Sequence, residues 1–309
     1  MPQPEHIEPE AQIAHTEGAF DAGKVIIEHV ANSEHPIFHL PTILGIDFSI
    51  SKHVLMLWLV AILVFVTVTW STRRYLKQDR LVPSGFMTAL EFVVHFVRDS
   101  IVLPNVGPKF VSTWTPLVLT LFAFILVANA IGLIPVFELI GLTDHWLLHT
   151  DEDSFIKHVI HGGTTATANF NVTAALATIT FVSIIVAGSK AHGFVQHWKN
   201  LVPHGLPGAL YTLLIPIELL GMFVKPFALT MRLAANMTAG HIAILSVLSF
   251  VFIFNNLNGA IAGIGAGLFV GLPLAVAISA LEIIVILVQA YVFTLLTAVF
   301  IGMAINTNH

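Results

Sequence analysis

The chain has 309 residues, of which 56% are hydrophobic and only 10% charged, against roughly 45–50% and about 25% in an ordinary soluble domain. So apolar a composition belongs in lipid and argues against a soluble globular enzyme. There is no cysteine, which removes disulfides, zinc–thiolate sites and thiol nucleophiles.

The net charge of −5 is unevenly spread. Residues 1–35 hold Glu5, Glu8, Glu10, Glu17, Asp21, Glu28 and Glu34 against Lys24 alone. Residues 1–45 therefore read as an acidic extramembrane segment. It lacks the cationic start and apolar core of a signal peptide, so it is expected to be retained and partly disordered, with room for a short helix at Val25–Val30. Residues 46–309 are expected to form a polytopic helical membrane domain.

The first apolar run, Val54 to Trp70, crosses a hydrocarbon layer of about 30 Å once its flanks are included. Arg73, Arg74, Lys77 and Arg80 follow it. By the positive-inside rule that end is cytoplasmic and the acidic N-terminus lies outside. Residues 84–103 place Glu91, His95, Arg98 and Asp99 among Phe, Val and Leu at helical spacing, as in an interfacial helix, with a re-entrant hairpin as the alternative. Leu117 to Phe137 carries no charge and leads to an outer loop with Asp144, Asp151, Glu152 and Asp153. Val172 to Gly188 then returns the chain to an inner loop with Lys190 and Lys199.

From Leu206 to Phe254 and from Gly259 to Ile305 the chain is apolar almost throughout. A straight helix of either length would measure roughly 70 Å. Each stretch must be strongly tilted, kinked or folded into a hairpin, with Pro216, Pro226 and Pro273 marking the easy bends. Gly259, Gly263, Gly267 and Gly271 make a small-residue face on which another helix can approach closely. The expected architecture is an all-α membrane protein with about five spans and one interfacial or re-entrant segment.

The chemistry lies in the last two stretches. Glu218, Lys225 and Arg232 are spaced by seven, so they share a helical face at intervals of about 10 Å. Glu218 and Lys225 can snorkel or pair near the cytoplasmic end. Arg232 has no such escape, and an intramembrane arginine marks an ion path or a carboxylate partner. Glu282 and Gln289 are also seven apart on one face. If these helices are antiparallel with Gln289 level with Arg232, then His241 lies about 13.5 Å beyond Arg232 and Glu282 about 10.5 Å beyond Gln289. The histidine and glutamate then meet at one depth, as in a proton relay.

Met231-Arg232-Leu233-Ala234-Ala235-Asn236-Met237-Thr238-Ala239-Gly240-His241 resembles the signature of the a subunit of rotary F-type ATP synthases. The run Glu282…Gln289-Ala290-Tyr291-Val292-Phe293-Thr294-Leu295-Leu296 is similar to that family's last helix, and Asn169-Phe170-Asn171-Val172-Thr173 to a third motif. The resemblance covers most of the chain from about residue 40. It implies that Arg232 faces the carboxylate of a c-ring, with Gln289 beside it. It implies that Asn236, His241 and Glu282 line an outer half-channel, that Glu218 stands near an inner one, and that Asn169 and Asn171 belong to the path.

The resemblance further implies a c-ring and b-type peripheral stalk subunits as partners in a bacterial plasma membrane, with the N-terminus outside and the C-terminus cytoplasmic. The last two helices would lie tilted against the ring. Neither cofactor, metal nor nucleic acid is implied. His241 and Glu282 stand in the reverse order to many bacterial members, as in mitochondrial-type sequences. Asn169 replaces an aspartate found in some members, so it can hydrogen-bond but not titrate. Neither residues 1–40 nor the glycine-rich 255–272 segment is given a role.

Two rival readings come from other classes. His35…His39 and His145…His149 have the HxxxH spacing of membrane di-iron oxygenases, but Pro36 interrupts the first pair and no HxxHH cluster follows. His158 and His161 could hold a stray divalent ion. A secondary transporter using Arg232 for an anionic substrate explains the buried charge but not the Glu282/Gln289 face.

Overall fold

A computed structural model describes residues 49–77, 85–133, 165–199 and 208–306, with Gly23 alone before them. The acidic N-terminal segment, the short helix expected at Val25–Val30, Arg80, the outer acidic loop, both HxxxH pairs, His158 and His161 lie outside the described residues. Among the described residues every element is helical. Five stretches are long and apolar enough to cross a membrane.

Helix α1 spans Lys52–Leu76 and carries Arg73 and Arg74 in its last turn, where cations suit the negative end of the helix dipole. It runs further than the apolar run at both ends: Arg73 and Arg74 extend it with exposed polar side chains, Lys52 and His53 with buried ones. Helix α2 spans Phe86–His95 and continues through a π-helical turn, Phe96–Val102, into the short α3, Leu103–Val106. Gly107, at φ 87°, ends the run in a backbone conformation that favours glycine. Glu91, His95, Arg98 and Asp99 stay at the surface, where His95 Nδ1 lies 3.2 Å from Asp99 Oδ2 and Arg98 Nε 3.7 Å from Asp99 Oδ1. Val97, Ile101, Val102 and Val106 are instead fully buried in the main core. The segment is thus amphipathic, as the spacing predicts, with its apolar side docked on the bundle.

Helix α4, Val111–Leu133, buries Val111, Trp114, Val118, Leu121, Phe122 and Ile125, a stripe spaced by three and four. Helix α5, Phe170–His192, starts at Asn169, whose Oδ1 accepts the Asn171 backbone N–H at 2.8 Å and caps the helix. The stub α6, Phe194–Lys199, follows. Helix α7, Gly208–Asn258, is one unbroken helix of 51 residues. Gly259, at φ 83°, then turns the chain. Helix α8, Ala260–Ala266, a π-helical turn, Gly267–Gly271, and α9, Leu272–Ile305, complete the return limb. Added side-chain carbons at Gly263 and Gly271 would overlap Asn255 and Val251, so the small-residue face admits the end of α7 itself.

Each long stretch is therefore a single limb of one helical hairpin. A 51-residue helix is about 77 Å long, and apolar sequence of that length fits a layer of about 30 Å only if it lies steeply inclined. The core forms where α9 crosses α4 and α5, from Val118, Ile125, Leu176, Ile184, Phe293 and Ile301, with Leu229 and Leu233 of α7 closing one side. The other side of the hairpin bears Phe223, Phe227, Met231, Leu281, Ile284 and Leu287, all exposed.

At the end of the bundle where α9 finishes, His192 Nε2 hydrogen-bonds the Ile305 carbonyl at 2.8 Å. Nearby His197 is buried with its ring against Gly188. Burial holds its imidazole below the usual value near 6.5, and His192 adds to the shift. The unfolded chain then binds more protons in that window, so stability is full above about pH 6.5 and falls as the pH drops below it. His197→Phe keeps a ring without the titration. Thermal unfolding in detergent at about pH 7.5 and about pH 5.5 should show a smaller acid-induced loss of Tm in the variant. An equal loss in both proteins would remove His197 from the account.

Candidate functional site

The α7–α9 hairpin positions most of the residues singled out in the sequence. Arg232 is exposed on the outer face of α7 and makes no ion pair or side-chain hydrogen bond with another described residue. The intramembrane charge read from the sequence is thus one that no other described part of the chain covers. Sequence shows only that Arg232 stands among apolar residues. It does not show whether those residues pack inward or onto something outside. Around Arg232, Ala228, Ala235 and Ala239 are also exposed, and at i−4, i+3 and i+7 they share its face.

Four residues on, Asn236 Nδ2 donates to Gln289 Oε1 at 3.0 Å. Gln289, 3% exposed, is therefore level with Asn236. It sits about 6 Å, one helical turn, beyond the level of Arg232 that the antiparallel register assumed. Glu218 is exposed on α7, fourteen residues and about 21 Å from Arg232. Lys225 lies between them with its Nζ 5.6 Å above the Phe300 ring. A cation–π contact thus takes the place of the carboxylate pairing considered for it.

A second cluster lies further along the hairpin, on the side of Arg232 toward the turn at Gly259. Glu282 is 5% exposed. Its carboxyl lies against Gly240, where any side chain would overlap it, so Glu282 is level with the turn of α7 that carries His241. The antiparallel register thus brings the two to one depth. The His241 Nε2 is 2.7 Å from the Thr165 hydroxyl. Thr165 precedes a 3-10 turn, Ala166–Ala168, in which the Thr167 hydroxyl donates to Asn129 Oδ1 of α4 at 2.6 Å. Asn169 follows directly and caps α5, while Asn171 is exposed.

Sequence reasoning missed Thr165, Thr167 and Asn129. An asparagine inside the uncharged run Leu117–Phe137 was the one signal, since an unpaired amide in hydrocarbon is costly. It also passed over Lys52 and His53, which read as mere flanks of the first span but are both buried. Among the described residues no group of three or more His, Asp or Glu is placed to hold a metal ion.

What the arrangement can do follows from its two parts. One is a permanent cation on an exposed apolar face. The other is a buried carboxyl, its Oε1 without a hydrogen-bond partner among the described residues, level with an imidazole that meets the Thr165 hydroxyl. Residues 54–302 match the family model described as ATP synthase A chain. The chain belongs to that family. The ATP synthase subunit a of Chlorobium phaeobacteroides is 38% identical over 296 residues, covering 93% of this chain and 76% of that protein. The ATP synthase subunit a 2 of Prosthecochloris aestuarii is 39% identical over 301 residues, covering 94% and 82%. The ATP synthase subunit a of Myxococcus xanthus is 39% identical over 266 residues, covering 85% and 75%. As an ATP synthase A chain it is a multi-pass membrane component of the Fo sector, and its matched region runs from just inside α1 to near the end of α9.

Proposed function

We propose that this A chain supplies two offset proton half-channels to a rotating ring of carboxylate-bearing helices, with Arg232 standing between them. The observation that carries the reading is Arg232 itself, an exposed cation among apolar residues of α7 with no ion-pair partner among the described residues. A guanidinium facing bare lipid would be costly. Covered by a ring helix that carries a carboxylate, the same group is useful. Ala228, Ala235 and Ala239 leave the space for that helix to approach closely.

A carboxylate crossing lipid must be protonated, because a charge there costs at least several kcal/mol. Beside Arg232 the ionised form is favoured. The proton leaves toward the inner side, past Glu218, and a new one arrives from the outer side through His241, Glu282 and Asn236. Gln289 holds Asn236 in place. A direct leak would have to pass the fixed positive charge, so protons cross only with rotation. Histidine in the outer path favours protons over sodium as the coupling ion.

The partners in this reading are a c-ring and b-type stalk subunits in a bacterial plasma membrane. The N-terminus is outside and the C-terminus, after α9, cytoplasmic. No catalytic site of its own is needed. A native chain without cysteine allows a direct test of the covered face. Cysteines at Ala228 and Ala235 should cross-link to a cysteine scanned along the ring's outer helix, and one at the buried Ala177 should not. Equal labelling of all three, or none with any ring position, would remove the ring from that face.

A further inference from the structure

The mechanism so far leaves unused one buried titratable pair, at the opposite edge of the outer cluster. Lys52 is fully buried and His53 is 5% exposed at the start of α1. Neither ring nitrogen of His53 has a hydrogen-bond partner among the described residues. Such unpaired buried nitrogens are uncommon in native structures and call for an explanation. One turn further along, Met56 packs on Ala166 and Ile131, which docks this end of α1 on the 3-10 turn and on the end of α4. The imidazole of His53 lies by the Thr165 backbone. From the other side, His241 reaches the hydroxyl of the same Thr165. Gly132 presses against the Thr165 side chain, where any larger residue would overlap it, so that hydroxyl has little freedom to turn elsewhere.

Resting on the half-channel reading above, we propose that His53 is a further relay residue of the outer path, feeding protons past Thr165 to His241 and so to Glu282. The proton count balances without any other reagent. His53 accepts a proton at one nitrogen and releases one from the other. The Thr165 hydroxyl takes up a proton at oxygen and gives its own to His241, and each group returns to its starting form when the proton moves on. Among the described residues the charged and titratable groups around His53 are few. Lys52 neighbours it on α1, α4 has no ionisable residue, the 3-10 turn has none, and His241 and Glu282 lie beyond Thr165. Glu91 and His95 belong to α2, which meets α1 at its other end, where Ser71 contacts Met87.

The test uses the complete synthase in vesicles, with ATP synthesis followed against outer pH. His53→Ala should lower the rate, toward the lower end of the roughly 10²- to 10⁴-fold range typical of a lost acid–base group. Imidazole added outside should restore part of it, which a packing role would not allow. His53→Cys creates the chain's one thiol, and Ag+ added outside should then stop synthesis in the assembled enzyme. A normal rate in His53→Ala, a loss that imidazole leaves untouched, or a cysteine variant indifferent to Ag+ would each overturn the proposal. His241→Ala and Glu282→Ala run alongside. If those two are impaired while His53 variants are normal, His53 alone is wrong. If all are normal, the half-channel reading itself fails.

Discussion

Arg232→Ala should abolish proton-driven ATP synthesis while the synthase still assembles. The exposure of Arg232 is the reason to expect assembly to survive, since the side chain packs against nothing in the chain's own core. A cation within about 4–6 Å moves a carboxyl by roughly 1–3 pKa units, so its loss leaves about 10 to 1,000 times less of the ring carboxylate ionised. Every step of rotation needs that ionisation, and the deficit is therefore paid at each subunit that passes. Arg232→Lys keeps the charge but replaces a planar fork by a compact, strongly hydrated ammonium on a different reach. It should retain some synthesis, well below the native rate. The measurements are ATP synthesis and ATP-driven proton pumping in vesicles, beside the subunit composition of the purified complex. Synthesis within twofold of native in Arg232→Ala would refute the role.

The parts legible in the sequence were those with one dominant physical cause. Each of the five spans follows from an apolar run, and the observed limits differ from those runs mainly at their polar flanks, as with Lys52–His53 before Val54. The heptad spacing placed Glu282 and Gln289 together on the buried face of α9, and both are buried. The antiparallel register of α7 and α9 likewise placed His241 and Glu282 at one depth, and the Glu282 carboxyl packs on Gly240, the residue before His241.

What stayed hidden depends on contacts between distant segments. Nothing local distinguishes an arginine inside a bundle from one on its surface when both surroundings are apolar, and Arg232 lies on the surface. The choice between tilt, kink and hairpin for the last two stretches was open because prolines permit each. Helix α7 runs unbroken through Pro216 and Pro226, and the chain reverses at Gly259. Thr165 and His53 carry no signal of their own. A threonine before a helix start and a histidine before an apolar run are commonplace, and only the docking of α1 on the 3-10 turn gives them meaning.

Exchanging the outer pair, as His241→Glu with Glu282→His, should return part of the function that either single change removes. His241→Ala and Glu282→Ala each delete one proton carrier from a buried site, and the group left behind is poorly compensated in a low dielectric. Synthesis should fall by roughly 10²-fold in each, the scale of a lost acid–base group. The exchanged protein restores one carboxyl and one imidazole at the same depth. It also reproduces the order that the resemblance to other bacterial a subunits implies. Recovery should be incomplete for two structural reasons. The Thr165 hydroxyl, now 2.7 Å from an imidazole nitrogen, would face a carboxyl on a flexible chain in place of a rigid ring. The space over Gly240, filled by the Glu282 carboxyl, would have to admit a ring. ATP synthesis against outer pH in vesicles, for both single variants and the exchange, separates the outcomes. Harmless single variants would take the pair off the proton path. Impaired singles with an exchange no better would mean that both groups matter through specific contacts with Thr165 and Gly240, and not as interchangeable carriers at one depth.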